Sequence, residues 1–176
     1  MTTATTTTSA GTYEIDPIHS SFGFAVRHNG VSRFRGQFEN VAATLSDGVL
    51  TGSATVDSVR TLIPPLKDVL TGPEFFDAAT SPTIDFRSSE IRVSEDGSAH
   101  VDGDLTIRGV TRPVSATGSI AEGLGLSGAE VVGVDLHATI DRREFGLDWQ
   151  APLPNGKNAL DWDVTLEVQL QLTKAA

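Results

Sequence analysis

Between Ser20 and Phe38 the chain alternates apolar and polar positions with a period of two. Phe22, Phe24 and Val26 fall on one parity, and Ser21, Gly23, Ala25 and Arg27 on the other. After Asn29-Gly30 the rhythm resumes, with Phe34 and Phe38 set against Arg33, Arg35, Gln37 and Glu39. Alternation interrupted by Asn-Gly predicts two antiparallel strands, each with one apolar and one wet face.

The same pattern predicts strands over residues 20–28, 33–45, 49–58, 83–93, 99–108, 114–120, 132–140 and 160–172. Asp16-Pro17, within Tyr13 to Ile18, reads as a turn or strand entry. The phase slips near Asn40, which predicts a bulge or bend. Asp47-Gly48 and Glu95-Asp96-Gly97 read as turns, as does Gly109 with Thr111-Arg112-Pro113. In the last segment Trp162, Val164, Leu166, Val168 and Leu170 share the inward parity. Between Thr61 and Thr80 the rhythm stops. Pro64-Pro65 precedes L-K-D-V-L, and Gly72-Pro73 precedes E-F-F-D-A-A. Two short helical turns are expected there, forming a lid-like insert that packs at least one of Phe75 and Phe76 inward. Eight long strands in sequential hairpins suit a barrel or a sandwich. The barrel is preferred because eight strands enclose room for a small ligand. The expected class is all-β: an eight-stranded antiparallel barrel with a short helical insert.

A length of 176 residues suits one domain, expected over residues 12–176. Residues 1–11 are Thr-rich and read as a disordered tail. The net charge of −10 argues against nucleic acid and against a basic patch on anionic membrane. There is no cysteine, which excludes disulfides, thiolate chemistry and Cys-based metal sites. No apolar run has the length of a membrane span, so integral membrane association is not expected. Without a basic then apolar leader at the N-terminus, the chain is expected in the cytoplasm.

Motifs that might be taken for chemistry have plainer readings. Gly123 to Gly128 matches G-x-G-x-x-G, but a strand pattern follows where a nucleotide site needs a helix, so a hairpin loop is expected. Asp16, His19 and Ser20 read as an Asx turn with local bonds to backbone at a barrel rim. The four histidines lack metal-ligand spacing, and no metal is expected. His28 shares the inward parity and suits either a satisfied polar residue at the barrel mouth or a head-group contact. The carboxylates of Asp85, Asp102, Asp104, Asp135, Asp161 and Asp163 fall on outward parities and make no acid/base pair. Arg142-Arg143-Glu144-Phe145-Gly146 reads as a loop tied by salt bridges.

Four segments resemble the YceI-like family, also described as polyisoprenoid-binding or lipid-binding. They are D-P-I-H-S leading into the Phe22–Phe38 stretch, L-T-G-P-E-F-F-D-A-A-T-S-P-T-I-D-F from Leu70, D-L-T-I-R-G-V-T-R-P-V from Asp104, and Arg142 with Phe145-Gly146. The likeness runs from about Tyr13 to Lys174. It implies an extended lipocalin-like barrel whose hydrophobic pore takes an isoprenoid chain, such as a polyprenyl phosphate or a quinone tail. It implies no catalytic residues and no cofactor beyond that lipid, and many relatives are dimers, so a homodimer is an expected partner. Two features depart from the family. Val69 stands where a His is frequent, and no export signal of the kind many relatives carry is read here, so export is not expected.

On parity and resemblance together, lipid contacts are expected from Phe22, Phe24, Val26, Phe34, Phe38, Phe75, Phe76, Phe86, Leu105, Ile107, Val134, Leu136, Phe145 and Leu166. Head-group contacts are expected from His19, His28 and Arg142. Gly36, Ala54 and Ala138 are small inward residues that would keep the bore open. An ordinary packed core would use the same residue types. Two further readings therefore stand beside the carrier: an enzyme with His19 or His28 as acid/base, and an interaction module with a filled core.

Overall fold

Three hairpin turns hold left-handed backbone at both central residues. Asn29 and Gly30 have φ of 53° and 72°, Asp47 and Gly48 50° and 78°, and Arg108 and Gly109 54° and 72°. Positive φ at both positions matches the right-handed twist of the flanking strands. The structure, a computed structural model, describes residues 10–176. Most of the tail expected over residues 1–11 therefore lies outside the described residues.

The strands are β1 (Thr12–Ile15), β2 (Ser21–His28), β3 (Ser32–Phe38), β4 (Val41–Ser46), β5 (Val49–Thr55), β6 (Val59–Arg60), β7 (Thr83–Val93), β8 (Ser98–Ile107), β9 (Val110–Leu124), β10 (Glu130–Asp141) and β11 (Leu160–Lys174). All eleven belong to one sheet. Six of them are halves of longer strands. The breaks fall at Asp16–Ser20, at Glu39-Asn40, and at a 3-10 turn over Val56–Ser58. Rejoined, they give eight long strands in a meander. The break at Asn40 sits where the sequence phase slips.

Closure comes from β11, which meets both halves of the first long strand. Residues 160–169 pair with β2, and 172–174 pair with β1, which also pairs with β4. The result is a closed eight-stranded antiparallel barrel. Here the structure goes beyond the sequence reading, which has a turn or strand entry within Tyr13 to Ile18 and counts no separate strand there. The four residues of β1 are too few to show a period, yet they seal the sheet.

Other corrections have local causes. β9 begins at Val110, so Thr111-Arg112-Pro113 lies within the strand and Arg108-Gly109 is the turn. Pro113 is tolerated because β10 pairs only with Thr117 to Leu124, leaving an edge without hydrogen bonds beside it. The insert holds one helix, α1 (Leu66–Thr71); the second expected helical turn is instead a set of tight turns tied by Asp77 N–H to Gly72 O and Ala78 N–H to Thr71 O. Trp162 does not point inward. The register of β11 shifts between Leu160 and Val164, and the ring lies under the Arg142 and Arg143 guanidiniums. Gly125 to Ala129 is a hairpin loop between β9 and β10.

The barrel has two different ends. At one end Tyr13, Leu45, Leu50, Val101, Val132 and Leu172 are packed to less than 5% exposure. The other end carries the β2–β3 hairpin, the 61–82 insert, the β8–β9 turn and the 142–159 segment. Tyr13→Ala removes the closed end's ring, which is 1% exposed. The expected loss is about 3–5 kcal/mol of unfolding free energy, read by urea denaturation, as for other large core truncations.

Candidate functional site

The inward faces do not meet along the whole axis. Beneath the insert lies an apolar chamber of about 390 Å³, within the range of roughly 300–1,000 Å³ usual for ligand sites. Phe24, Val26, Phe34, Phe38, Phe75, Phe76 and Ile107 line it, with Leu66, Val69, Leu70, Leu147, Trp149 and Val164. Deeper in the barrel a narrower compartment of about 100 Å³ follows. Phe22, Ile84 and Leu166 line both, so they form the neck between them. The closed end then stops the bore.

The narrow compartment exists because side chains are missing from its walls. Ala43 and Gly52 are cross-strand partners, Ala54 follows on β5, and Ala116 and Ala138 come from β9 and β10. Phe86, Leu105, Leu136, Val168 and Leu170 complete the lining. The inward Gly36 opens nothing, contrary to expectation: the Phe24 ring lies over it, 2.4 Å from where a Cβ would stand.

The phenylalanines gather on one wall and do not block the axis. Phe22 stacks on Phe38 with centroids 5.4 Å apart, and Phe76 meets Phe24 and Phe38 edge-on at 5.7 and 5.6 Å. Phe75 turns to Trp149 at 5.5 Å. Both aromatics of the insert thus serve the chamber. Val134 and Phe145 line neither compartment. They are 3% and 0% exposed and belong to the packed core around the bore.

Of the polar candidates, His28 is exposed and borders the chamber mouth, as does Glu74. His19 lies on an outer 3-10 turn between β1 and β2, away from the rim, and borders neither compartment. Its Nδ1 is 2.7 Å from the Asp16 carboxylate, which also accepts from Ile18 N–H at 2.9 Å. The hydrogen bond from His19 holds the Asp16 carboxyl below its usual pKa. Ser20 bonds the backbone of Gln171.

Arg142 is buried on the chamber wall, and among the described residues no carboxylate pairs with it. Its Nε donates to Asp161 O at 2.9 Å; Nη1 donates to Leu147 O at 2.6 Å and Trp149 O at 2.8 Å; Nη2 donates to Leu160 O at 3.3 Å. Burial lowers its pKa, and the nearby Asp141 and Asp148 charges oppose that shift. The side chain therefore holds the 147–161 segment against the barrel end, in a loop tied by carbonyls and not by the expected salt bridges alone. Arg143 does make an ion pair, with Asp141 at 2.6 Å. Arg108 holds the other side. From its left-handed turn it donates to Pro73 O at 2.9 Å and Phe75 O at 2.5 Å. Left-handed backbone at a non-glycine residue costs roughly 1–2 kcal/mol, which these two bonds offset.

A family model described as the YceI-like domain matches residues 13–172. The chain belongs to the YceI-like family. Among its relatives, a UPF0312 protein of Staphylococcus aureus strain USA300 is 26% identical over 174 residues, covering 92% of this chain and 96% of that protein. The fold matches a YceI protein of Campylobacter jejuni with a TM-score of 0.72 at 21% identity, covering 85% and 90% of the two chains. It also matches a polyisoprenoid-binding domain from Saccharophagus degradans implicated in plant cell wall breakdown, with a TM-score of 0.70 at 14% identity over 95% and 100%. Burkholderia cenocepacia BcnA gives 0.70 at 20% identity, covering 89% and 98%. In this YceI-like chain no group of three or more His, Asp or Glu among the described residues is placed to hold a metal ion. No helix among the described residues is long and apolar enough to cross a membrane.

Several lining residues escaped the sequence reading. Leu147, Trp149 and Leu160 lie in or beside a segment without periodicity, and Ala43, Gly52 and Ala116 carry too little side chain to mark a face. Arg142→Met leaves buried carbonyls unpaired and should cost about 3 kcal/mol. Faster amide exchange across residues 147–160 is the accompanying sign. Arg108→Asn suits the turn better but releases the insert: exchange at residues 73–81 should rise while global stability shifts by less than about 1 kcal/mol.

Proposed function

We infer that the chain is a non-catalytic carrier that stores or moves an isoprenoid-type lipid, such as a polyprenyl phosphate or a quinone, in its barrel. The observation that carries this reading is the apolar bore, in which a wide chamber continues past Phe22, Ile84 and Leu166 into a narrow compartment. A hydrocarbon tail that leaves water gains about 25 cal/mol per Å², so burying roughly 300 Å² supplies about 7.5 kcal/mol before the costs of binding. The wall needs no directional polar groups for this. The likeness of fold to a polyisoprenoid-binding domain from Saccharophagus degradans supports the choice of ligand class.

The head group belongs at the mouth. Arg142 gives its donors to backbone carbonyls, while His28 and Glu74 stand where the chamber meets solvent. A single histidine and a single carboxylate at an open rim give weak support to the enzymatic alternative. Its assigned residues are tested by His19→Ala and His28→Ala: turnover of a bound lipid that survives the substitution dismisses that residue as acid/base.

The central experiment is native mass spectrometry of protein from its own host, with identification of any released lipid. Protein that carries no lipid and takes up no prenyl or quinone probe overturns the carrier reading. Ala54→Leu with Ala138→Leu should fill the narrow compartment. The expected outcome is binding shifted to shorter prenyl chains, with affinity for the longest falling about tenfold or more, since each lost buried methylene costs about 0.8 kcal/mol.

A further inference from the structure

A tail seated in this bore has to enter it, and the surface at the open end is unusual for a water-soluble rim. Leu62 is 97% exposed and Ile63 56% exposed, and the exposed Pro64-Pro65 follows them into α1. Val31, at the tip of the β2–β3 hairpin, is 82% exposed. Val69 on α1 is 49% exposed and also lines the chamber. Val69 thus reaches from the chamber wall to the outer surface, while Leu62 stands outside, also bordering a groove with Arg35, Arg60 and Glu167. Such a path gains free energy only where the far side is itself apolar.

We propose that this rim, formed by Val31, Leu62, Ile63 and Val69, docks on a lipid bilayer so that the ligand passes between membrane and bore without crossing water. The proposal rests on the lipid-carrier reading and adds the partner surface. Charge is compatible with it. The total of −10 is spread along the molecule, and exposed acids such as Asp47, Glu95, Asp96 and Glu122 stand at the closed end. Residues 62–71 carry one Lys and one Asp and residues 29–32 of the hairpin tip carry no charge, while the flanking charges of the open end mix signs, with Arg27, Arg33, Arg60 and Lys157 set against Glu74, Asp77 and Asp148. With a Debye length of about 8 Å at physiological salt, a bilayer at the mouth meets this nearly neutral rim and not the far acids. Leu124 and Leu126 are also exposed, at 74% and 112%, but they lie at the closed end beside Glu122 and Glu130 and border no chamber.

Full-length protein is floated with vesicles of phosphatidylcholine, alone or mixed with phosphatidylglycerol. In parallel it is loaded with a long-chain isoprenoid alcohol, either from ethanol or from those vesicles. Wild-type protein should float with both compositions, with little dependence on salt. Leu62→Glu with Ile63→Glu should reduce flotation and the rate of extraction from vesicles about tenfold or more. Loading from ethanol should stay unchanged, and Leu126→Glu should behave as wild type. Three results would overturn the docking role. The rim variant could float normally, binding could require phosphatidylglycerol and vanish in salt, or the variant could lose self-association in sedimentation with vesicle binding intact. Vesicle binding without loading from ethanol would uphold the rim and overturn the isoprenoid reading.

Discussion

An apolar hollow inside a protein is unfavourable, because its walls lose contacts that close packing would provide. This barrel sustains one because its walls are held by backbone hydrogen bonds, which do not require side chains to meet across the axis. Eight long strands in a closed ladder leave the middle of the bore free of structural duty. Side chains pack at both ends: Tyr13, Val101, Val132 and Leu172 make a plug at the closed end, and a second cluster with Phe38, Phe76 and Phe145 surrounds the chamber at the other. Closure is therefore the condition for the hollow. It depends on a short pairing, Tyr13 to Ile15 against Leu172 to Lys174.

The other end is organised differently. There the ladder is incomplete: β9 and β10 pair only from Thr117 and His137 toward the closed end. Irregular segments cover the gap, and they are fastened by two arginines through carbonyl oxygens. Arg142 gathers the 147–161 segment, and Arg108 gathers the insert at Pro73 and Phe75. Guanidinium suits both tasks, since its several donors diverge in one plane and it stays charged when buried. The mouth is consequently the part of the molecule best placed to open locally, with few ladder bonds to break. The fixed closed end and the fastened mouth together give the bore a direction.

Within the bore, residue size sets the shape. Large rings crowd one wall of the wide chamber, and alanine and glycine strip the walls of the narrow one. The neck residues Phe22, Ile84 and Leu166 come from strands far apart in sequence. A ligand that fills both compartments must be slender and apolar along its length, which is the shape of a prenyl chain and not that of a compact polar metabolite.

The alternation of Phe22, Phe24 and Val26 against their polar neighbours determined which face of each strand is dry, and Asn29-Gly30 and Asp47-Gly48 determined where the chain reverses. Those are local properties, since side-chain period and turn chemistry act over a few residues. Proline and glycine likewise marked the insert at residues 61–80. Whether the dry faces enclose a space or fill it was not legible in the same way. It depends on Ala43, Gly52 and Ala54 facing Ala116 and Ala138 across the barrel, a match set by the register of distant strands. The short β1, the outward turn of Trp162 at the β11 irregularity and the carbonyl cage of Arg142 have the same origin. Each is fixed by partners far away in the chain, so only the closed tertiary structure could decide them.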